Sequence, residues 1–283
     1  AKNETSSSLG LVKRRKVRTT SHDVLACPTC HGCFEQLPPD LNTIQTGTLR
    51  CAGCHREFPI TNGIPQFIKP SNLTGLNRRF SILYDWFSLV YPLYSKVMFF
   101  LMGLTEEKGR REITDRLDPK GGKVLEVSIG PGSNLPYIFS NLDVSEVFGL
   151  DISPGQLRRC QRLVLRKGWN VDLFLGNGEN LPFQNNVFEC VLHVGGINFF
   201  NDKEAAIAEM IRVAKPGARI LIADETEKGV KNYEITLPFF KKSFSGNRAK
   251  ITPPIDLVPN DMMEKHVKNI WNDWFYCIEF RKP

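Results

Sequence analysis

From residue 108 onward, short apolar runs alternate with longer segments in which apolar residues recur at helical spacing. The apolar runs lie near residues 123–128, 146–151, 171–175, 187–193 and 218–224. Short runs of this kind between turn residues are typical of strands that are buried on both faces. Because strands that alternate with helices form parallel sheets, the pattern predicts an α/β fold with a doubly wound, mostly parallel sheet. Ligands of such sheets bind at the carboxyl ends of the strands.

Two further segments add to this pattern. Residues 274–280 alternate between apolar and polar positions, which predicts an antiparallel strand at the edge of the sheet. Residues 86–104 contain a single charge, Lys96, and approach the length of a membrane span. Pro92 and Ser95 interrupt this run, so we expect two helices around Pro92 that cover the substrate end of the domain. Peripheral contact with a membrane surface stays open as an alternative.

Length and charge narrow the function classes. A chain of 283 residues can form one large domain and a small one. Its net charge is +7, but residues 1–23 hold six basic and two acidic residues and therefore contribute four of these charges. We interpret residues 1–23 as a flexible basic tail, with a transit-peptide remnant as the alternative. The weakly charged remainder does not indicate a nucleic-acid-binding face.

Residues 123–136 have the sequence of a strand, a glycine turn and a helix start. The apolar strand stops at Gly130-Pro-Gly132, and Ser133 or Asn134 can cap a helix that carries Pro136 in its first turn. This arrangement brings backbone N–H groups close to a ligand. The spacing is not that of a dinucleotide site, because the third glycine is absent.

Acidic residues accompany this turn. Glu126 lies four residues before Gly130, and Asp151 ends the next strand, 25 residues after Glu126. An acid at the end of the second strand can accept hydrogen bonds from both ribose hydroxyls of a nucleoside. The alternative role for Asp151 is to cap the helix that begins near Pro154.

An acid followed by a small residue and the Gly130-Pro-Gly132 turn resembles the first motif of the class I S-adenosylmethionine (SAM) methyltransferases, with Ser128 in place of the usual first glycine. Residues 176–183 resemble the third cofactor loop of that family, and residues 209–217 resemble its turn before the fifth strand. The resemblance implies a Rossmann-like fold with seven strands and SAM as the cofactor. It implies cofactor contacts from Tyr84, Glu126, Ser128, Gly130, Gly132, Asp151, Ile152, Asn177, Gly178, Glu179 and His193.

Within this family, Tyr84-Asp85 and the continuation Gly132-Ser-Asn-Leu-Pro136 look most like the ubiquinone/menaquinone-type C-methyltransferases (methyltransferase type 11) and the phospholipid N-methyltransferases. This likeness implies an acceptor with a large apolar part. A base is needed only if the acceptor atom must lose a proton. The candidates are His193, at the end of the fourth strand, and Asp224 and Glu225, at the end of the fifth. A purely structural histidine is the alternative for His193.

The cysteines predict a second site. Cys27-Pro-Thr-Cys30 and Cys51-Ala-Gly-Cys54 are separated by twenty residues, a spacing typical of a structural Zn²⁺ bound by four thiolates. Paired C-x-x-C motifs also favour a reducing, intracellular compartment, either the cytoplasm or an organelle stroma. The flanks of the two pairs resemble the zinc ribbon of the activator subunits of translation-related methyltransferases. A ribbon of this size needs the metal in order to fold.

Together these features predict four regions: a tail at 1–23, a zinc ribbon at 24–70, a helical lid at 71–107 and a SAM-binding methyltransferase domain at 108–283. The predicted function is transfer of a methyl group to a hydrophobic small molecule such as a quinol, a phenol or a lipid-like compound. One alternative is an rRNA or tRNA base methyltransferase that uses the ribbon to bind RNA, although nucleic acid is the less favoured partner. Another is a non-catalytic scaffold that binds SAM. The acceptor atom and the oligomeric state stay open.

Overall fold

The computed structural model describes residues 24–35, 46–87, 91–236 and 250–283. The predicted tail and the side chain of Tyr84 lie outside this description, so their predictions stay untested. The N-terminal unit contains a three-stranded antiparallel sheet in the order β1-β2-β3. Its strands are β1 (Thr46–Arg50), β2 (Glu57–Thr61) and β3 (Ile64–Pro65). Three helices follow, namely α1 (Gly75–Phe87), α2 (Tyr91–Leu101) and α3 (Glu106–Thr114).

The remaining strands form one sheet of seven, in the order β6-β5-β4-β7-β8-β10-β9. They are β4 (Lys123–Val127), β5 (Glu146–Asp151), β6 (Val171–Leu175), β7 (Phe188–Val194), β8 (Ala214–Glu225), β9 (Met263–Ile270) and β10 (Phe275–Arg281). The helices between them are α4 (Leu135–Asn141), α5 (Pro154–Lys167), α6 (Lys203–Val213) and α7 (Glu227–Thr236). Short 3-10 helices occur at Pro70–Asn72, Ile197–Phe199 and Ile255–Leu257. The prediction of a doubly wound, mostly parallel sheet is confirmed.

The C-terminal strands correct one prediction. β10 is antiparallel, as expected, but it pairs with β8 on one side and with β9 on the other. It is therefore an interior strand, and β9 occupies the edge. The sequence did not reveal β9 because most of its side chains are exposed or half-buried and no apolar run distinguishes it.

The ribbon packs against the opposite edge of the sheet, which is β6. The Phe67 N–H donates to the Leu175 carbonyl at 2.8 Å, and the Ala26 N–H donates to the Pro182 carbonyl at 3.0 Å. The rings of Phe67 and Phe174 lie 6.3 Å apart, so the two units share one hydrophobic core. Docking of the ribbon also satisfies backbone groups that an open sheet edge would expose.

The helix α1 is fastened to loops at the carboxyl ends of the strands. The Ser81 hydroxyl donates to the Ile152 carbonyl at 3.1 Å, and Asp85 accepts from the Ser153 hydroxyl at 3.2 Å and from the Gly155 N–H. Helix α1 therefore covers this end of the sheet, as predicted for a lid. Among the helices that the structure describes, none has the length and apolar character needed to cross a bilayer.

We expect Phe67→Ala to destabilise the whole protein. Its ring is buried between Phe58, at 5.3 Å, and Phe174, so its removal leaves a cavity where the ribbon meets the sheet. The expected loss is about 3–5 kcal/mol in the free energy of unfolding, measured by urea denaturation of the zinc-loaded protein. Phe100→Ala, the same change at an exposed position, is the control and should have little effect. Equal losses for the two variants would contradict the shared core.

Candidate cofactor and active site

One cavity lies beneath the helices α1 and α2, at the carboxyl ends of β4, β5, β7 and β8. Eight of the predicted site residues line this cavity: Glu126, Ser128, Gly130, Asp151, Ile152, Asn177, Gly178 and Glu225. The structure does not bring Gly132, Glu179, His193 or Asp224 to its wall. Each of these four instead has a position that its hydrogen bonds or packing explain.

The turn after β4 leaves room for a ligand. Ser128 adopts a φ of 60°, the left-handed conformation that a glycine at this position would adopt without strain. A Cβ atom added to Gly130 would meet no atom within 4 Å, so backbone faces the cavity there. At Gly132, in contrast, a Cβ would lie 2.8 Å from Leu135 and 2.9 Å from Cys160. Gly132 thus allows close packing behind the turn and is not a cavity residue.

The buried Glu126 carboxyl is part of a polar chain at one end of the cavity. Its Oε1 accepts from the Asn134 amide at 2.7 Å, and the Asn134 Oδ1 accepts from Arg110 at 3.2 Å. The other oxygen of Glu126 is buried and has no hydrogen-bond partner among the described residues. Burial, only partly offset by Asn134 and Arg110, raises the pKa of Glu126 to about 8.

Two members of this chain were not predicted as site residues. Asn134 precedes α4, but its side chain makes no capping hydrogen bond because both of its polar atoms serve the site. Arg110 is only 5% exposed, donates to the Ser95 hydroxyl at 3.3 Å and lies over the rings of Phe99 and Trp271. Nothing in the run Lys108-Gly-Arg-Arg111 distinguishes Arg110, since helix periodicity alone does not show which basic residue points inward.

Asp151 connects the loops that follow β4 and β5. Its Oδ2 accepts from the Gly130 N–H and its Oδ1 from the Ser153 N–H, both at 2.8 Å. Burial raises the pKa of Asp151 to about 6 in spite of these bonds. The helix α5 is capped by Ser153, whose hydroxyl accepts from the Gln156 N–H at 3.2 Å. The capping alternative for Asp151 is therefore excluded, and its carboxylate faces the cavity.

The third loop joins the cavity to the lid. Asn177 lines the cavity, and its Oδ1 accepts from the Glu179 N–H at 3.1 Å. Glu179 itself accepts from the Asn77 amide of α1 at 2.9 Å and from the Asp202 N–H at 3.1 Å. Glu179 therefore fixes α1 to the loop and is a positioning residue.

The three candidate bases differ in access to the cavity. His193 is fully buried, and its Nδ1–H donates to the Val127 carbonyl at 3.1 Å, with the ring 5.4 Å from that of Phe200. Burial lowers the pKa of His193 to about 4, so the ring is neutral at physiological pH. This position agrees with the structural alternative.

Asp224 also has a structural position, whereas Glu225 reaches the cavity. The Asp224 carboxylate accepts from the backbone N–H groups of Gly196, at 3.0 Å, and Asn198, at 2.6 Å, and thereby fixes the loop after β7. The Oε2 of Glu225 is buried without a hydrogen-bond partner in the described part of the chain. Burial and the adjacent Asp224 hold the pKa of Glu225 well above its usual range.

Another part of the cavity wall is apolar and was not predicted residue by residue. It is lined by Phe80, Met98, Phe99, Phe199, Trp271 and Phe275. Trp271 belongs to the turn between β9 and β10, where three consecutive residues have positive φ. Its indole N–H donates to the Gly109 carbonyl at 2.8 Å, which holds the turn beside α3. Gly195 and Gly196 add bare backbone, since a Cβ at either position would meet no atom within 4 Å.

The four predicted metal ligands lie together in the ribbon. The sulfur atoms of Cys27, Cys30, Cys51 and Cys54 all lie within 4.8 Å of one another. The Cys27–Cys54 and Cys30–Cys51 separations are 3.6 and 3.4 Å. These values are close to the separation of about 3.8 Å expected for a tetrahedron with Zn–S bonds of about 2.3 Å. The donor set and its geometry therefore fit Zn²⁺.

Comparison with known proteins agrees with this geometry. The sheet order is that of a Rossmann-like methyltransferase fold, and the acids at the ends of β4 and β5 line its cavity. Residues 125–222 match the family described as "Methyltransferase domain" (type 11). Residues 19–63 match the family described as "Trm112p-like protein".

Curated methyltransferases are similar to part of this chain. A demethylmenaquinone methyltransferase of Paenarthrobacter aurescens is 34% identical over 156 residues, which cover 54% of this chain and 58% of that protein. The ubiquinone/menaquinone biosynthesis C-methyltransferase UbiE of Burkholderia mallei is 37% identical, covering 37% of this chain and 43% of that protein. A phthiotriol/phenolphthiotriol dimycocerosates methyltransferase of Mycobacterium leprae is 32% identical, covering 37% and 38%. The chain thus spans about 38–58% of the length of these relatives.

Solved structures support the fold. The complex between the Trm112 methyltransferase activator and a methyltransferase of Haloferax volcanii matches with a TM-score of 0.53 at 15% identity, covering 62% of this chain and 88% of that chain. The [4+2]-cyclase SpnF matches with a TM-score of 0.53 at 16% identity, covering 74% and 97%. At such low identities, the similarity shows the fold alone.

Removal of the metal should unfold the ribbon. We expect Cys30→Ser to lower the zinc content and the free energy of unfolding, because Cys30 belongs to the four-sulfur cluster. Cys33→Ser is the matched control, since Cys33 is an exposed cysteine outside the cluster. Bound zinc is measured by atomic emission and stability by urea denaturation. Retention of zinc and stability by Cys30→Ser would show that the cluster is not a metal site.

The buried acids should make the ligand-free protein less stable at alkaline pH. The pKa of Glu126 is raised from about 4.5 to about 8, so the folded state retains a proton that the unfolded chain loses. Stability should therefore fall as pH rises from about 5 to about 8, by a few kcal/mol in order of magnitude. Urea denaturation at several pH values measures this slope.

The slope should be smaller in Glu126→Gln, which removes one titrating group and retains its shape, while the contributions of the buried Asp151 and Glu225 remain. Glu107→Gln, at an exposed position, is the control and should retain the slope. A slope that is unchanged in Glu126→Gln would exclude Glu126 as its source.

Proposed function

We propose that this protein transfers a methyl group from SAM to a hydrophobic small molecule, such as a quinol, a phenol or a lipid-like compound. The observation that carries this proposal is that the wall of one cavity combines two kinds of groups. Buried acids and open glycine backbone form its polar part, and aromatic and methionine side chains form its apolar part. Curated relatives named as menaquinone, ubiquinone and phthiotriol-type methyltransferases support an apolar acceptor.

The polar end matches the charged and hydroxyl groups of SAM. The free oxygen of Glu126 suits an ammonium group, and the buried guanidinium of Arg110 suits the carboxylate of the same amino-acid moiety. Asp151 retains acceptor capacity for the ribose hydroxyls. Asn177 and Gly178 line the cavity and would pack against the nucleoside base. When bound, SAM supplies an activated methyl group, so the protein contributes mainly alignment and exclusion of water.

The apolar end would hold the acceptor and accept its proton. Glu225 lines the cavity, and its Oε2 has no hydrogen-bond partner among the described residues, which leaves this oxygen to accept the proton of an acceptor hydroxyl. Met98 and Phe99 of α2 and Trp271 of the C-terminal turn cover this end. We therefore assign proton transfer to Glu225, with His193 and Asp224 as positioning residues.

We infer that the ribbon stabilises the catalytic domain within the same chain. Supporting observations are its likeness to Trm112p-like proteins, its docking on the β6 edge and its shared core with the sheet. The Haloferax volcanii structure contains a Trm112 activator in complex with a methyltransferase. No described residue of the ribbon lines the cavity, which favours a structural role over acceptor recognition.

Binding of S-adenosylhomocysteine, measured by calorimetry, tests the polar end. We expect Asp151→Ala to weaken binding by about 1.5–3 kcal/mol, the range for a hydrogen bond to a charged group. Asp261→Ala, the same change at an exposed position outside the cavity, is the control and should retain the affinity. Absence of binding by the folded, zinc-loaded wild type would overturn the proposed function.

Transfer of labelled methyl from SAM to soluble quinols, phenols and RNA tests the acceptor class. For a quinol or phenol, we expect Glu225→Gln to reduce turnover by about 10²–10⁴-fold, as for loss of a general base. Transfer to RNA alone would favour the base-methyltransferase alternative. Binding without transfer to any acceptor would favour the scaffold alternative.

A further inference from the structure

The helix α2 has two different apolar faces. Ser95, Met98 and Phe99 are buried and line the cavity. On other positions of the same helix, Leu93 is 71% exposed, Val97 47% and Phe100 80%. Residues at spacings of four and three lie on one side of a helix, so these three side chains form a continuous outer stripe. A helix that is apolar on two sides is expected to contact an apolar environment on each of them.

The exposed apolar residues of the protein are concentrated in the lid. Of the eleven large hydrophobic side chains that are exposed in the described part of the chain, six belong to α1 and α2. They are Leu76, Ile82, Leu93, Val97, Phe100 and Leu101. Scattered exposed apolar residues are ordinary on protein surfaces, but a concentration on one element indicates an interaction surface.

The charges on these two helices indicate which kind of surface the helices would bind. Arg78 and Arg79 on α1 and Lys96 on α2 are exposed. Asp85, the one acid of the two helices, accepts hydrogen bonds from the α5 N-terminus and pairs with Arg158 at 3.7 Å. Each of the two helices therefore carries exposed apolar and basic groups, the combination with which amphipathic helices bind anionic lipid surfaces.

We propose that the outer face of α1 and α2 docks on an anionic lipid surface and that the acceptor enters the cavity from the lipid. The helices would lie in the plane of the interface, since neither has the length and apolar character to cross a bilayer. The inner face of α2 borders the acceptor end of the cavity, so docking places the lipid phase one helix away from the apolar site. The proposal of docking depends only on the exposed residues of α1 and α2. The proposed route of entry depends in addition on the proposed function.

Flotation with lipid vesicles tests the docking. The probes are vesicles of phosphatidylcholine and vesicles in which phosphatidylglycerol is added. We expect the full, zinc-loaded chain to bind the anionic vesicles more tightly than the neutral ones, and raised salt to weaken this binding. The double variant Leu93→Ser/Phe100→Ser should lose affinity for anionic vesicles by about tenfold or more, because each exposed side chain would lose its burial in lipid.

The matched control is Leu165→Ser/Val267→Ser, which makes the same kind of change on α5 and β9, outside the lid. It should bind vesicles as the wild type does. Binding of S-adenosylhomocysteine should be equal in all three proteins, which shows that the cavity is intact. Failure of the wild type to bind anionic vesicles, or equal binding by the lid variant, would overturn the proposal. Two results together would assign the face to contact with a second copy of the chain. The wild type would not bind vesicles, and size-exclusion chromatography would show a dimer that the lid variant has lost.

A kinetic comparison separates the docking from the catalytic proposal. With a long-chain acceptor in anionic vesicles, the lid variant should be slower than wild type by about the same factor as its loss of vesicle affinity. With a water-soluble short-chain acceptor, the two should be equal. Vesicle binding without methyl transfer would overturn the proposed function and leave the docking in place. Equal rates on the vesicle acceptor would overturn the route of entry.

Discussion

Buried carboxylates hold the loops of this site together. Asp151 accepts from backbone N–H groups on two loops, Asp224 accepts from the loop after β7, and Glu179 accepts from the lid and from Asp202. Buried acids of this kind are tolerated because their oxygens receive hydrogen bonds. In contrast, Glu126 and Glu225 each keep one buried oxygen without such a bond in the described structure. Asp224 and Glu179 thus fix the backbone, Glu126 and Glu225 each present an oxygen without a partner, and Asp151 both fixes two loops and lines the cavity.

The strand and turn pattern predicted much of this fold because it depends on local sequence. The five parallel strands, the turn at Gly130 and the two cysteine pairs were each indicated by neighbouring residues. Ser128 is an instructive case, since it adopts the positive φ that the missing glycine implied. The strand-end positions of Asp151 and Glu225 also indicated site residues, and the structure places both at the cavity wall.

Features that depend on distant contacts were missed or misplaced. The strand-end position of His193 suggested access to the cavity, but side-chain alternation along β7 turns the ring toward Val127 and Phe200. Arg110 and Trp271 are 161 residues apart in sequence and meet only because the C-terminal turn folds back on α3. The edge strand β9 is polar on most positions, so its pairing with β10 had no local signal. Such arrangements follow from tertiary packing, which overrides local propensity.

The docking of the ribbon has a consequence for the energetics of the cofactor site. The Phe67 N–H donates to the carbonyl of Leu175, and Gly176 and Asn177, which follow directly, line the cavity. A single peptide unit therefore separates the contact of the ribbon from the loop that lines the cavity. If zinc binding orders this loop, then zinc raises the affinity for the nucleoside, and the nucleoside must raise the affinity for zinc by the same factor. Binding at the metal centre and binding in the cofactor pocket would then be thermodynamically coupled.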